Sequence, residues 1–188
     1  LPAVNHPTDN PGERIDAIFD RVCANGLRRG SVAGASDDQI DQMAADQGVE
    51  RVPDAVREVL HIMGVRSGLW LTGTAFGVGA MTAERKRHVV ATLDGLDHEL
   101  ADPRGLLALT AHQGHAYHVV DGADLDQADP PVWDVVEGEG ARKAWNSVSD
   151  WFAATAPNVT DLRDVLEMME EMGKQPPKWA EFVEPRQS

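Results

Sequence analysis

Three histidines within the segment HQGHAYH, His112, His115 and His118, are the densest group of potential metal ligands or acid-base groups in the chain. Zinc needs three or four convergent ligands, so the backbone around them decides what they can do. Gln113 and Gly114 separate the apolar runs 106–112 and 115–120, and a glycine in a two-residue connection signals a tight hairpin. Across such a turn His112 and His115 face each other. His118, an odd number of residues from His115, points to the other side of the sheet. Two ligands converge and the third does not, so no metal centre is expected; a metal-dependent hydrolase built on His112, His115 and nearby aspartates ranks last among the functional readings.

Other reactive patterns are equally incomplete. Gly73, Gly77 and Gly79 in GTAFGVGA resemble a phosphate loop only loosely, and Gly173 and Lys174 are followed by Gln175 where a P-loop needs Ser or Thr. A G-x-S-x-G nucleophile elbow is missing. The single Cys23 sits in an amphipathic stretch where a buried structural thiol is the ordinary reading, and it cannot form an internal disulfide. No enzyme and no cofactor are expected.

Charge is more informative. The 188 residues hold 17 Lys and Arg against 31 Asp and Glu, a net −14 with histidine neutral. Such a chain lacks the basic excess that phosphate binding requires, which excludes an ordinary nucleic-acid binder. Between residues 89 and 141 stand Asp94, Asp97, Glu99, Asp102, Asp121, Asp124, Asp126, Asp129, Asp134, Glu137 and Glu139 against Arg104 alone, a local net of −10. One reading is a solvated face that maintains solubility. The other is a surface for a cationic partner, whose association a complementary potential accelerates; on that reading the contacts come from Asp94, Asp97, Glu99, Asp121, Asp124, Asp126, Asp129, Asp134, Glu137 and Glu139. Calcium is not expected, because D-x-x-D-x-D-x-x-D lacks the glycine and terminal Glu of an EF-hand loop. Trp145 and Trp179, placed near loops and tails, are further candidate anchors.

The elements that position these residues follow from caps and periodicity. Asn10 with Glu13, and Pro11 between them, predicts a capped helix over 11–25 with Ile15, Ile18, Phe19 and Val22 inward and Gly26 as its stop. Residues 28–35 read as a Gly-Ser linker. Ser36 with Gln39 caps a second helix facing inward through Ile40, Met43 and Ala44 and ending at Gly48. Pro53 starts a third, with Val56, Val59, Leu60 and Met63 as its stripe. Residues 69–71 form a short strand candidate, and Thr82 caps a helix carrying Val89, Val90 and Leu93. After the histidine hairpin, 132–136 reads as a third strand, Ser147 opens a helix with Val148, Trp151 and Phe152, and 161–172 forms a last helix facing inward through Leu162, Val165, Leu166 and Met169. Helices followed by a strand meander indicate an α+β domain. The opening LPAVNHPTDNPG has neither the charged nor the apolar region of a signal peptide, and no stretch is long and apolar enough to span a membrane, so a cytoplasmic protein is expected.

Three pieces in order resemble the SMI1/KNR4 (SUKH) superfamily. ASDDQIDQMAADQGVERVPDAVREVLHIMGV resembles its opening, a Ser-capped acidic helix leading through a Leu-Pro-like step into a helix ending in glycine. AHQGHAYHVVD resembles its glycine-turned hairpin, and DPPVWDVVEGEG followed by NSVSDWF resembles its Asp-Pro-Pro-Val-Trp strand and closing helix. Val52 replaces the usual leucine before Pro53, and Val148 and Phe152 stand where phenylalanine and leucine are common; all are apolar exchanges on core faces. The resemblance implies a SUKH-like domain over 36–156, preceded by an N-terminal helix and linker over 1–35 and followed by a C-terminal helix and tail over 157–188. It further implies an immunity protein that occludes the active site of a bacterial polymorphic or contact-dependent toxin, a nuclease-like and basic one given the −14 charge. The alternative it carries is a non-catalytic regulator or scaffold, a role that would go with long disordered arms.

Overall fold

A computed structural model describes residues 10–187. Three helices come first: α1 (Pro11–Ala24), α2 (Asp37–Asp46) and α3 (Asp54–Met63). A two-residue strand β1 (Ala75–Phe76) and helix α4 (Ala83–Asp94) follow, then β2 (Leu107–His112), β3 (Ala116–Val120), β4 (Val132–Val136) and β5 (Gly140–Trp145), and finally α5 (Val148–Ala154) and α6 (Val159–Glu171). The strands form one antiparallel sheet in the order β1-β2-β3-β4-β5. The molecule is therefore an α+β fold with helices, sheet and helices in that order.

Local caps explain most helix starts. Ser36 and Gln39 make a complete capping box, with Gln39 N donating to Ser36 Oγ and Ser36 N to Gln39 Oε1. Thr82 and Ser147 accept from Arg85 N and Asp150 N. At α1 the cap differs from the reciprocal box that Asn10 and Glu13 suggested: Asn10 Oδ1 accepts from Gly12 N, one residue earlier, at 3.0 Å. The expected inward stripes of α1, α2 and α3 are all buried. Helix α1 packs on α3 and α5, so it shares the core that the sheet closes.

Three expectations need correction, and one strand was not foreseen. Residues 69–71 are a turn, not a strand: Leu71 takes φ +53° between the positive-φ Gly68 and Gly73, and Trp70 is buried by stacking on Phe152 at 4.2 Å. An aromatic plug, with Trp70 Nε1 donating to Thr155 Oγ1 at 3.3 Å, buries Leu69 and Trp70 and leaves Leu71 half-buried, in place of a strand ladder. The strand lies at Ala75–Phe76. Residues 28–35 are ordered rather than a plain linker, with a 3-10 turn at Arg29–Ser31 and Ala35 N donating to the Leu60 carbonyl. Strand β5 had no periodic signal because GARKAW carries Arg142 and Lys143 on a sheet edge, where charge discourages further pairing. Helix α6 begins at Val159, capped by Asn158, and buries only that residue fully.

One buried polar side chain links helices to sheet. β1 pairs only with Thr110 and Ala111, so the outer edge of Ala108 has no strand partner. Gln47, 2% exposed, takes that place: Ala108 N donates to Gln47 Oε1 at 2.9 Å, and Gln47 Nε2 donates to the Ala108 carbonyl at 3.1 Å.

Candidate functional site

The antiparallel meander sorts the acidic residues into two groups. Strands β2 and β4 begin, and β3 and β5 end, at the same end of the sheet. Segment 94–106 and the β3–β4 connection therefore meet there, while Glu137 and Glu139 lie at the β4–β5 turn on the opposite end. Five residues of β4 put roughly 17 Å between the two ends. That exceeds the physiological Debye length of about 8 Å, so the two groups act as separate fields.

Within the first group some carboxylates hold the fold together. Asp121, 3% exposed, accepts from Ala101 N at 2.7 Å, Asp102 N at 2.8 Å and Ala123 N at 3.2 Å, binding the two loops together. Asp102 turns back on Gly105 N at 3.0 Å. Asp129 accepts from Ser149 N at 3.0 Å and Ser149 Oγ at 2.6 Å and pairs with Arg14 Nη1 at 3.4 Å, fixing the start of α5. The sequence placed Asp129 in a surface loop; it is half-buried structure. Asp94 pairs with Arg104 at 3.4 Å, and Asp124 accepts from Gln127 Nε2 at 2.9 Å. Asp97, Glu99 and Asp126 are exposed and have no bonded side-chain partner among the described residues, and the same holds for Glu137 and Glu139. The Asp121 clamp brings the loops bearing the first three together.

The histidines are arranged otherwise than the two-residue turn implied. Gln113 and Gly114 do adopt the positive φ of a tight turn, +50° and +75°, and His115 N donates to the His112 carbonyl. The ladder, however, resumes with His112 opposite Ala116, leaving three residues in the loop. That one-residue offset changes the parity. His118, opposite Thr110, now shares a side with His112. His115 is exposed at the loop, its ring 6.3 Å from that of His112.

His118 sits in a small aromatic and acidic setting. Trp151 Nε1 donates to its Nδ1 at 3.0 Å, the Trp145 ring meets it edge-on at 4.8 Å, and its Nε2 lies 3.8 Å from Asp134 Oδ1. The indole bond requires Nδ1 to be bare, so the neutral ring carries its proton on Nε2, facing Asp134. Burial holds its pKa below the ordinary histidine value; Asp134 opposes that shift and His112 adds to it. Asp134 is further engaged by Arg142 at 3.5 Å. Asp134 thus belongs to this cluster on the sheet and not to either acidic end. Trp145 is likewise a strand residue packed on His118 rather than a loop anchor, whereas Trp179 is half-buried in the 3-10 segment Lys178–Phe182. His112 Nδ1 is 3.2 Å from Thr74 Oγ1. No cluster of three or more His, Cys, Asp or Glu among the described residues is arranged to hold a metal ion.

No family model and no curated protein matches this chain. A cleft of about 1070 Å³ that nothing in the sequence foretold lies between α1, residues 27–31, Arg66 and the C-terminal segment 181–184. Its arginines are mostly committed: Arg29 pairs with Asp20, and Arg66 donates to the Ser31 and Gly30 carbonyls. Cys23 borders it, and burial raises the thiol pKa, away from a reactive thiolate. Nothing in spacing pointed to this cleft, because its walls come from three stretches far apart in the chain, 20–31, Arg66 and 181–184. Among the described residues no helix is long and apolar enough to cross a membrane.

Proposed function

We propose that this chain is an immunity protein that binds and neutralises a basic, nuclease-like toxin by covering its cationic substrate groove. The observation that carries the reading is the set of free carboxylates, Asp97, Glu99 and Asp126, presented on loops that the Asp121 clamp holds together. An inhibitor of this kind needs charge fixed in place more than it needs catalytic groups, since complementary potential raises the association rate and rejects wrong partners. The resemblance to the SMI1/KNR4 superfamily supports the same reading. Its segments fall on α2, α3, the β2–β3 hairpin, β4 and α5, which pack around one core.

The test is the association rate with the protein encoded by the adjacent gene. Reversal of Asp97, Glu99 and Asp126 to lysine is expected to slow association by about tenfold or more and to remove its salt dependence. Asp129 is left intact because it holds the first turn of α5 through Ser149. A rate indifferent to both salt and charge reversal would assign these carboxylates to solubility and overturn the reading.

A further inference from the structure

Helix α6 carries one broad apolar arc that the body covers only in part. Val159, buried, and the half-buried Leu162 and Leu166 turn to the body, and Arg163 Nε tethers the helix to the Glu184 carbonyl at 2.9 Å. The uncovered edge of the arc, beyond the half-buried Met169, runs through Val165, Met168 and Met172 at i, i+3 and i+7, with exposures of 40, 55 and 58%. Single exposed apolar residues are ordinary, but three aligned along one helix make a continuous strip.

The charges beside the strip select its occupant. Asp161 lies four residues before Val165, Asp164 four before Met168, and Glu171 three after Met168, so these three exposed carboxylates each neighbour a stripe residue. The helix carries Asp161, Asp164, Glu167, Glu170 and Glu171 against Arg163, a net −4; Arg186 bridges Asp164 and Glu167 and offsets one charge. A second copy of the chain would press like carboxylates together, and an anionic lipid surface would be repelled. A helix with lysines or arginines flanking apolar anchors satisfies both features, and methionine side chains adapt to anchors of varied shape.

We propose that the Val165, Met168 and Met172 stripe docks a cationic amphipathic helix of the partner protein; the immunity reading supplies only that partner's identity. The probe is a synthetic peptide of about 18 leucines and lysines, leucine at i, i+3, i+4 and i+7, labelled for fluorescence anisotropy at physiological salt. Replacing Met168→Gln together with Met172→Gln keeps the charge and is expected to weaken binding about tenfold or more without lowering the melting temperature. A scrambled peptide of the same composition is expected to bind as weakly as the variant does the ordered one. Equal binding of both peptides, or of wild type and variant, would reduce the effect to net charge and overturn the proposal. So would a wild-type dimer in sedimentation velocity that the two substitutions dissociate. The product of the adjacent gene separates the two readings. If it binds wild type and variant alike, the stripe is overturned and the immunity reading stands. If it does not bind at all while the peptide still depends on both methionines, the immunity reading fails and the stripe stands.

Discussion

The two ends of the sheet use carboxylates differently. Where β2 and β4 begin, Asp121 and Asp129 turn inward and hold loops and the start of α5 through backbone N–H groups. At the β4–β5 turn, the carboxylates of Glu137 and Glu139 project without a bonded partner among the described residues. Residues of one type in one acidic stretch therefore do two jobs. A buried carboxylate that accepts several N–H bonds stabilises its surroundings, whereas an exposed one contributes field and solubility.

Removing a clamp should break this contrast most visibly. Asp121→Ala leaves Ala101 N, Asp102 N and Ala123 N without their acceptor, and a loss of about 3 kcal/mol is expected in chemical denaturation. A loss no larger than that of Glu137→Ala would show that both ends are equally superficial. Asp129→Ala should follow at about 2 kcal/mol, since Ser149 loses both bonds while Arg14 remains solvated.

Gly114→Val should cost more than about 1 kcal/mol, because the site is open but its φ of +75° excludes a β-branched residue. An unchanged melting temperature would place the turn elsewhere. His118 gives a smaller effect confined to acid. Its folded pKa lies below the unfolded one, so the unfolded chain takes up the proton first and stability is lost as pH falls from about 6.5. Comparing wild type with His118→Leu at pH 7.5 and 5.5 tests this: the acid-dependent loss should shrink in the variant. Smallest of all, Glu137→Lys with Glu139→Lys should shift stability by less than about 0.5 kcal/mol. A shift as large as that of Asp129→Ala would erase the difference between the two ends.

Much of the helical fold was legible because caps are local. Ser36 with Gln39, Thr82 and Ser147 announce helix starts through side chains that bond backbone within three residues. The hairpin's position was legible from Gln113 and Gly114, but its register was not. A loop of three residues instead of two reverses the parity of every later side chain, and so moved His118 to the side of His112. Strand β5 stayed hidden because an edge strand with outward Arg142 and Lys143 has little apolar alternation to show.

The sequence alone determined the net charge, the starts of α1 to α5 and the inward stripes of α1 to α3, all of which depend on residue type and short spacing. The tertiary structure decided which carboxylates are free. Asp121 and Asp126 read alike along the chain, yet only the packing of segment 101–102 against the β3–β4 connection gives the first its N–H partners and leaves the second in water. That distinction rests on contacts between residues about twenty positions apart, and local periodicity carries no information at that range.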